Sequence, residues 1–250
     1  VEQAHVRLRD VATSPSPYGP ALSVVALATA SGTAALVFGT GAGEILASVV
    51  VGLIVGVLGV AAQRSETVGR VYEFAAAMTA TVLAMAAGSI WTGLAVAPVI
   101  VSSIIVLLPG LTLTLALNEL AAGHLVSGTA RLTGSLMTLL KLGLGVGLGQ
   151  QLATFLPALA VNRGAAPAAL PGWTLAPALL LTAPALAVLF RARRGEWPWM
   201  LVGIVTAFGA ARLGVHFLGP AFGALLGALL AGLAGNLYER RWRRPAVVMV

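Results

Sequence analysis

Long apolar runs alternate along the chain with short polar stretches, and these runs set the first expectation for the fold. A helix needs about 20 residues to cross roughly 30 Å of hydrocarbon. Apolar runs near this length predict eight membrane spans, at residues 19–38, 44–62, 71–90, 94–108, 132–156, 173–190, 197–211 and 217–237. The pattern therefore predicts an all-α, polytopic helical membrane protein with about eight transmembrane helices.

The seventh run is the weak point of this map. A helix over residues 197–211 would reach only about 22 Å. Such a span would have to tilt very little, thin the bilayer around it, or form half of a broken helix. The sequence leaves open whether this span crosses the bilayer fully.

The composition supports a membrane protein and excludes other classes. Hydrophobic residues make up 58% of the chain and charged residues only 9%, whereas a soluble domain carries about 25% charged residues. A water-soluble globule and a disordered chain are both excluded by these values. The chain has no Cys, which also excludes disulfides, thiolate metal sites and Cys nucleophiles.

The net charge of +7 predicts orientation in the membrane better than it predicts a nucleic-acid partner. The basic residues fall between the apolar runs. With a cytoplasmic N-terminus, twelve of the fifteen lie in inner segments, and only Arg163 and Arg212 lie in outer turns. Because Lys and Arg resist translocation, this distribution predicts an N-terminus in the cytoplasm and no nucleic-acid binding.

The chain divides into four predicted parts. Residues 1–18 form a polar cytoplasmic segment, and residues 19–160 form a first five-helix half that contains a broken helix at 108–132. Residues 161–172 form an external loop, and residues 173–250 begin a second half that stops before its end. The first residue is Val and the last residues are apolar, so we expect a piece of a longer chain.

Residues 108–132 combine a helix break with polar side chains. Pro109 and Gly110 break the fourth span, and backbone groups freed there are tolerated only beside protein or a water-filled cavity. A renewed helix over 112–131 is predicted to carry a stripe of residues at four-residue steps, with two polar neighbours: Glu119, Gly123, Ser127 and Arg131, flanked by Asn118 and His124. Broken helices with polar residues form transport sites in many carriers. The alternative is an interfacial connecting helix with solvated side chains.

Three other charged residues lie inside apolar runs. Glu44 and Glu73 are close to span ends, where a solvated position is as good an interpretation as a role in transport. Lys141 lies about ten residues into the fifth span, too deep for easy snorkelling, and needs a partner such as Glu73 or Glu119. Hydroxyl side chains of the spans would line a polar path or bond to their own helix backbone: Thr79, Thr81, Ser102, Ser103, Thr112, Thr114 and Thr138.

Small residues recur at four-residue spacing and predict close helix packing. The residues assigned to helix contacts are Gly52, Gly56, Gly123, Gly128, Gly223 and Gly227. Small faces let helices approach closely in lipid. Packing inside one bundle is the simpler interpretation, and homo-oligomerisation or a mobile gate is the alternative.

Motifs for catalysis or cofactor binding do not occur in the sequence. It has no phosphate-binding G-x-x-x-x-G-K-[ST] loop, no H-E-x-x-H and no G-x-S-x-G. The three histidines, His5, His124 and His216, lie in different segments, which argues against a metal site. We therefore predict neither an enzyme nor a bound metal or cofactor.

The break region also carries a family resemblance. The threonine/serine exporters of the bacterial inner membrane have a signature that resembles L-P-G-L-T-L-T, N-E-L and L-V-S-G-T-A-R-L. The resemblance implies a cytoplasmic N-terminal segment, about ten spans in two related halves of five, and proton-driven export of threonine and serine. Some split relatives are linked to succinate export instead. The signature positions in this chain are Pro109, Gly110, Glu119, Ser127, Gly128 and Arg131.

These observations predict a proton-coupled secondary transporter that exports a small polar amino acid across the bacterial cytoplasmic membrane. Glu119 would be the proton-coupling acid, and Arg131 or Lys141 would attract the substrate carboxylate. The ammonium and hydroxyl groups would contact Thr112, Asn118 and Ser127, with His124 nearby. Two alternatives remain: an exporter of a dicarboxylate such as succinate, and a non-transporting membrane scaffold or subunit.

Overall fold

The computed structural model describes residues 18–156 and 170–242, and these fold into nine α-helices. The helices are α1 Pro20–Val37, α2 Ala42–Ala62, α3 Glu66–Ile90, α4 Val96–Ile104, α5 Gly110–Ala121, α6 Leu125–Thr154, α7 Leu175–Leu189, α8 Trp197–Leu218 and α9 Pro220–Trp242. Short 3-10 turns at Ile105–Leu107, Gly172–Thr174 and Arg194–Glu196 adjoin α4, α7 and α8. Apart from Tyr18 and 170–172, the predicted cytoplasmic segment and external loop lie outside the described residues.

Seven of the described helices are long and apolar enough to cross a membrane. An eighth span is formed if Val96–Leu107 and Gly110–Ala121 are counted together, although these two segments are bent by 57°. The prediction of an all-α, polytopic fold with about eight spans is confirmed. The bend falls at Pro109, where the chain was expected to break.

The prediction of a short seventh span at 197–211 was wrong. Helix α8 has 22 residues, about 33 Å at 1.5 Å per residue, which is enough to cross. Arg212 does not end the helix, which continues to Leu218, and its guanidinium lies 5.8 Å from the centre of the Phe208 ring one turn earlier. The helix ends instead at Gly219, whose φ of 92° favours glycine.

The prediction of one renewed helix over 112–131 was also wrong. Helix α5 ends at Ala121, and α6 begins at Leu125 and continues to Thr154. Gly123 adopts a φ of 82° in the turn, and the His124 amide donates to the Glu119 carbonyl at 2.8 Å. A Cβ on Gly123 would have no atom of another helix within 4 Å. Gly123 therefore forms a tight turn and not a helix contact. The predicted stripe is split between two helices that form a hairpin.

Close approaches at glycines show how the helices run. A Cβ on Gly56 would lie 3.1 Å from the Cα of Val24, which places the end of α2 beside the start of α1. Gly149 on α6 packs on Met78 and Thr81 of α3. Gly223 packs on the α8 backbone near Val215, and Gly227 packs near Ala207 and Ala211 one turn further back, which makes α8 and α9 an antiparallel hairpin.

This arrangement gives the bundle a basic end and an opposite end. The basic end collects the described arginines of the loops, of the start of α3 and of the last turn of α9, namely Arg64, Arg70, Arg191, Arg193, Arg194, Arg240 and Arg241. Tyr18 lies at this end, where its hydroxyl donates to the Ala192 carbonyl at 2.7 Å. The opposite end holds residues 38–41 and 91–95 and the start of α2.

Candidate transport site

A cavity of about 1280 Å³ opens between α1, the break from α4 to α5, α7 and α8. Its walls are largely apolar, with the hydroxyl residues Thr33, Thr112, Thr114 and Thr182 among them. Arg191, Arg193 and Glu196 line it at the basic end. A mainly apolar cavity with a few polar groups is typical of small-molecule sites.

The helix break forms one wall of this cavity. Residues 105–112 all line it. The Gly110 amide donates to the Leu108 carbonyl at 2.8 Å, and the Leu113 amide donates to the Pro109 carbonyl at 2.9 Å. Pro109 and Gly110 thus lie beside the cavity, as irregular backbone inside a membrane requires.

The hydroxyls of the cavity differ in their availability. Thr114 donates to the Gly110 carbonyl at 3.0 Å, and Thr182 donates to the Ala178 carbonyl at 2.8 Å. Thr33 likewise donates to the Ala30 carbonyl. Among the described residues, Thr112 has no such bond to its own helix. Its hydroxyl is therefore the one of the four whose proton is not already donated to the backbone, whereas the other three can only accept a further hydrogen bond.

Two arginines that line the cavity have no ion-pair partner in the described part of the chain. The ion pairs there involve neither Arg191 nor Arg193. Arg191 has a φ of 55°, a left-handed conformation that costs a residue other than glycine about 1–2 kcal/mol. Glu196 fixes the loop by accepting the Arg193 amide at 3.1 Å. In the sequence this basic loop indicates only the orientation in the membrane, and no sequence pattern places it beside the break.

The other predicted site residues gather on the α5–α6 hairpin, away from the cavity. Arg131 Nε lies 2.9 Å from Glu119 Oε1. The side chains of Arg131 and Glu119 are 49% and 26% exposed. Asn118, His124 and Ser127 are exposed on the same hairpin. Gly128 packs there on Leu120, because a Cβ on Gly128 would lie 2.7 Å from the Cγ of Leu120.

The side chain of Lys141 extends from α6 to α3 and does not line the cavity. Its Nζ donates to the Arg70 carbonyl at 2.9 Å and lies 3.4 Å from Glu73 Oε2. The sequence predicted Glu73 or Glu119 as the partner of Lys141. In the structure Lys141 pairs with Glu73, while Glu119 pairs with Arg131. Within residues 18–156 and 170–242, no three metal-ligating side chains lie together.

Comparisons with known proteins give the chain a family. The family model described as a "putative threonine/serine exporter" (ThrE) matches residues 1–153. A threonine/serine exporter of Corynebacterium glutamicum is 34% identical over 164 residues, which cover 63% of this chain and 33% of that protein. No solved structure matches the chain.

Fungal membrane proteins are also similar. Pheromone-regulated membrane protein 10 of Saccharomyces cerevisiae is 30% identical over 206 residues, which cover 78% of this chain and 52% of that protein. The protein of the same name from Candida albicans is 30% identical over 258 aligned positions, which cover 99% of this chain and 23% of that protein. The chain thus spans between about a quarter and a half of the length of these relatives. From the family match and the helical membrane fold together, this chain belongs to the threonine/serine exporter family of multi-pass membrane proteins.

Proposed function

We propose that the chain carries the substrate path of a proton-coupled exporter of small polar amino acids such as threonine and serine. The cavity beside the helix break is the observation that carries this proposal. It offers cationic groups at one end and a free hydroxyl at the break, which is the complement of an amino acid with a carboxylate and a hydroxyl side chain.

Each part of such a substrate has a partner in the cavity. Arg191 and Arg193 would bind the carboxylate, a role that the sequence analysis gave to Arg131 or Lys141. Those two residues are held in ion pairs outside the cavity. Thr112 would bind the substrate hydroxyl, and Glu196 is the acid that lines the cavity near the arginines, within reach of an ammonium group.

The basic end favours one orientation in the membrane. Positive residues resist translocation, so we place the basic end, and with it the N-terminus, in the cytoplasm. In a bacterium this membrane is the cytoplasmic membrane. Substrate would then enter the cavity past Arg191 and Arg193 from the inside, which is the direction that export requires.

The transport proposal is tested with the full-length protein in liposomes. The liposomes are loaded with labelled threonine and placed under a proton gradient, and efflux is measured with serine, threonine or succinate as competitor. Competition by serine but not by succinate supports the proposal. Competition by succinate alone would favour the dicarboxylate alternative, and the absence of any flux would favour a scaffold.

Replacing Glu119 by glutamine should slow proton-driven threonine efflux. We propose that Glu119 is a proton-coupling acid, because its Oε2 is buried and makes no hydrogen bond while Oε1 binds Arg131. Uptake of a proton would weaken the pair with Arg131. We expect a loss of about tenfold, in the range of typical coupling between two ligands, measured as initial efflux rate from liposomes.

The matched control for this change is Glu66→Gln. Glu66 also pairs with an arginine, Arg70 at 3.7 Å, but its side chain is 94% exposed. This variant should transport like the parent protein. Equal efflux from Glu119→Gln and the parent protein would remove Glu119 from the mechanism.

A further inference from the structure

Glu44 is a buried acid in the first turn of α2, at the opposite end of the bundle from Glu119. Its residue surface is 0% exposed. The Ala95 amide donates to Oε1 at 2.8 Å, and Oε2 is buried without a hydrogen-bond partner. The position is therefore not the solvated span end that the sequence offered as one interpretation.

In residues 18–156 and 170–242, no counter-ion faces Glu44 from the helices packed on α2. These helices are α1, α3 and α4, and neither α1 nor α4 contains an ionisable side chain. The ionisable residues of α3 all lie in its first turns, at the basic end: Glu66, Arg70, Tyr72 and Glu73. The connecting residues 38–41 and 91–95 contain no ionisable side chain either.

Two opposing effects act on this carboxyl group. Burial without a counter-ion penalises the carboxylate. The N-termini of α2 and α4 both meet at Glu44, since Ala95 directly precedes α4, and the partial positive charge of helix N-termini favours the carboxylate. Glu44 is therefore held at the junction of two helix N-termini by one backbone hydrogen bond, and its second carboxylate oxygen has no hydrogen-bond partner.

Two buried hydroxyls lie further into the bundle than Glu44, and among the described residues neither is hydrogen-bonded to it. Ser48 lies one turn further along α2, and its Oγ is 2.8 Å from the Oγ of Ser102. Ser102 in turn donates to the Val99 carbonyl at 3.1 Å, and both serines are fully buried. Ser102 stands three residues before Ile105, which lines the cavity.

We propose that Glu44 is a proton-binding site of the transport cycle. The inference rests on the proposed proton-coupled export. One proton from the opposite end binds to Oε2 and gives a neutral acid, and the same proton is later released towards the basic end, so that no other bond forms or breaks. The two acids then lie at the two ends of the bundle, with Glu44 receiving protons and Glu119 at the end where they leave.

The test replaces Glu44 by glutamine in the full-length protein. Glutamine keeps an oxygen that accepts the Ala95 amide but cannot exchange a proton. We expect efflux driven by a pH gradient to fall on the order of 100-fold, the usual contribution of a positioned proton-transfer group. Exchange of labelled for unlabelled threonine across the same liposomes, which needs no net proton movement, should stay near the parent rate.

The matched control is again Glu66→Gln, which changes an exposed acid in the same way and should leave both fluxes unaltered. Efflux from Glu44→Gln that still follows the pH gradient overturns the inference. Loss of both fluxes also overturns it, because Glu44 would then only hold α2 against α4.

A second measurement does not depend on transport. Infrared difference spectra of the purified protein between two pH values should contain a carboxylic acid band that Glu44→Gln lacks and Glu66→Gln retains. If the parent protein transports nothing, the proposed function fails while this band still reports on Glu44. Identical spectra for the parent protein and Glu44→Gln would show that Glu44 binds no proton between the two pH values.

Discussion

Replacing Arg191 and Arg193 together by alanine should lower kcat/KM for threonine efflux by about 100-fold or more. A hydrogen bond to a charged group contributes about 1.5–3 kcal/mol, and two such contacts correspond to at least two factors of ten. Both arginines line the cavity and have no ion-pair partner in the described part of the chain. The measurement is the initial efflux rate as a function of the threonine concentration inside the liposomes.

The control for this prediction removes the same charge from the same end of the bundle. Arg194 and Arg64 do not line the cavity, so the double variant Arg64→Ala/Arg194→Ala should keep the parent kcat/KM. A similar loss in both double variants would mean that net charge or membrane orientation matters, and not substrate binding. An unchanged KM in the Arg191/Arg193 variant would place the substrate elsewhere.

Replacing Gly149 by valine should destabilise the bundle strongly. A Cβ at this position would lie 2.8 Å from Thr81 Cβ and 2.9 Å from the Met78 carbonyl oxygen. The carbonyl belongs to the backbone of α3 and cannot move aside as a flexible side chain does. We expect a loss of about 1–3 kcal/mol or more, the usual cost of overpacking, measured as a lower midpoint of thermal unfolding in detergent.

Gly147 gives a control on the same helix. No atom lies within 4 Å of a Cβ built there, so Gly147→Val should unfold close to the parent midpoint. The pair of variants therefore separates helix packing from the intrinsic effect of replacing glycine. Equal midpoints for the two variants would contradict the close approach of α3 and α6.

The sequence predicted the helices well where apolar length alone decides. The spans at 19–38, 44–62 and 173–190 agree with α1, α2 and α7 within a few residues, because hydrocarbon thickness fixes the length of an apolar run. The prediction failed at two polar interruptions. Arg212 was taken as a helix end, although an arginine can lie along its own helix over an aromatic ring.

The second failure concerns Gly123. A single glycine is compatible with a continuous helix, and only its φ of 82° shows that the chain turns there. The turn still brings Glu119 and Arg131 together, twelve positions apart, although by a hairpin rather than along one helix face. The pairing was therefore outside what four-residue periodicity can predict.

The candidate site was predicted only in part. Pro109, Gly110 and Thr112 line the cavity, and the Pro-Gly pair in this segment predicts a helix break. Arg191 and Arg193 come from a loop about 80 positions away, and Glu44 is covered by the turn at 91–95. Packing of the whole bundle decides which helices lie side by side. The hydrophobic pattern of one sequence therefore does not predict these contacts.

The length of α6 has a consequence for the Glu119–Arg131 pair. Lys141 lies level with Arg70, so the start of α6 extends about 24 Å beyond that level, at 1.5 Å per residue. Arg131 is thereby carried past the first turn of α3, towards lipid headgroups and bulk water. Added salt screens exposed pairs much more than buried ones, so ionic strength should act on this hairpin while leaving the carboxyl group of Glu44 shielded.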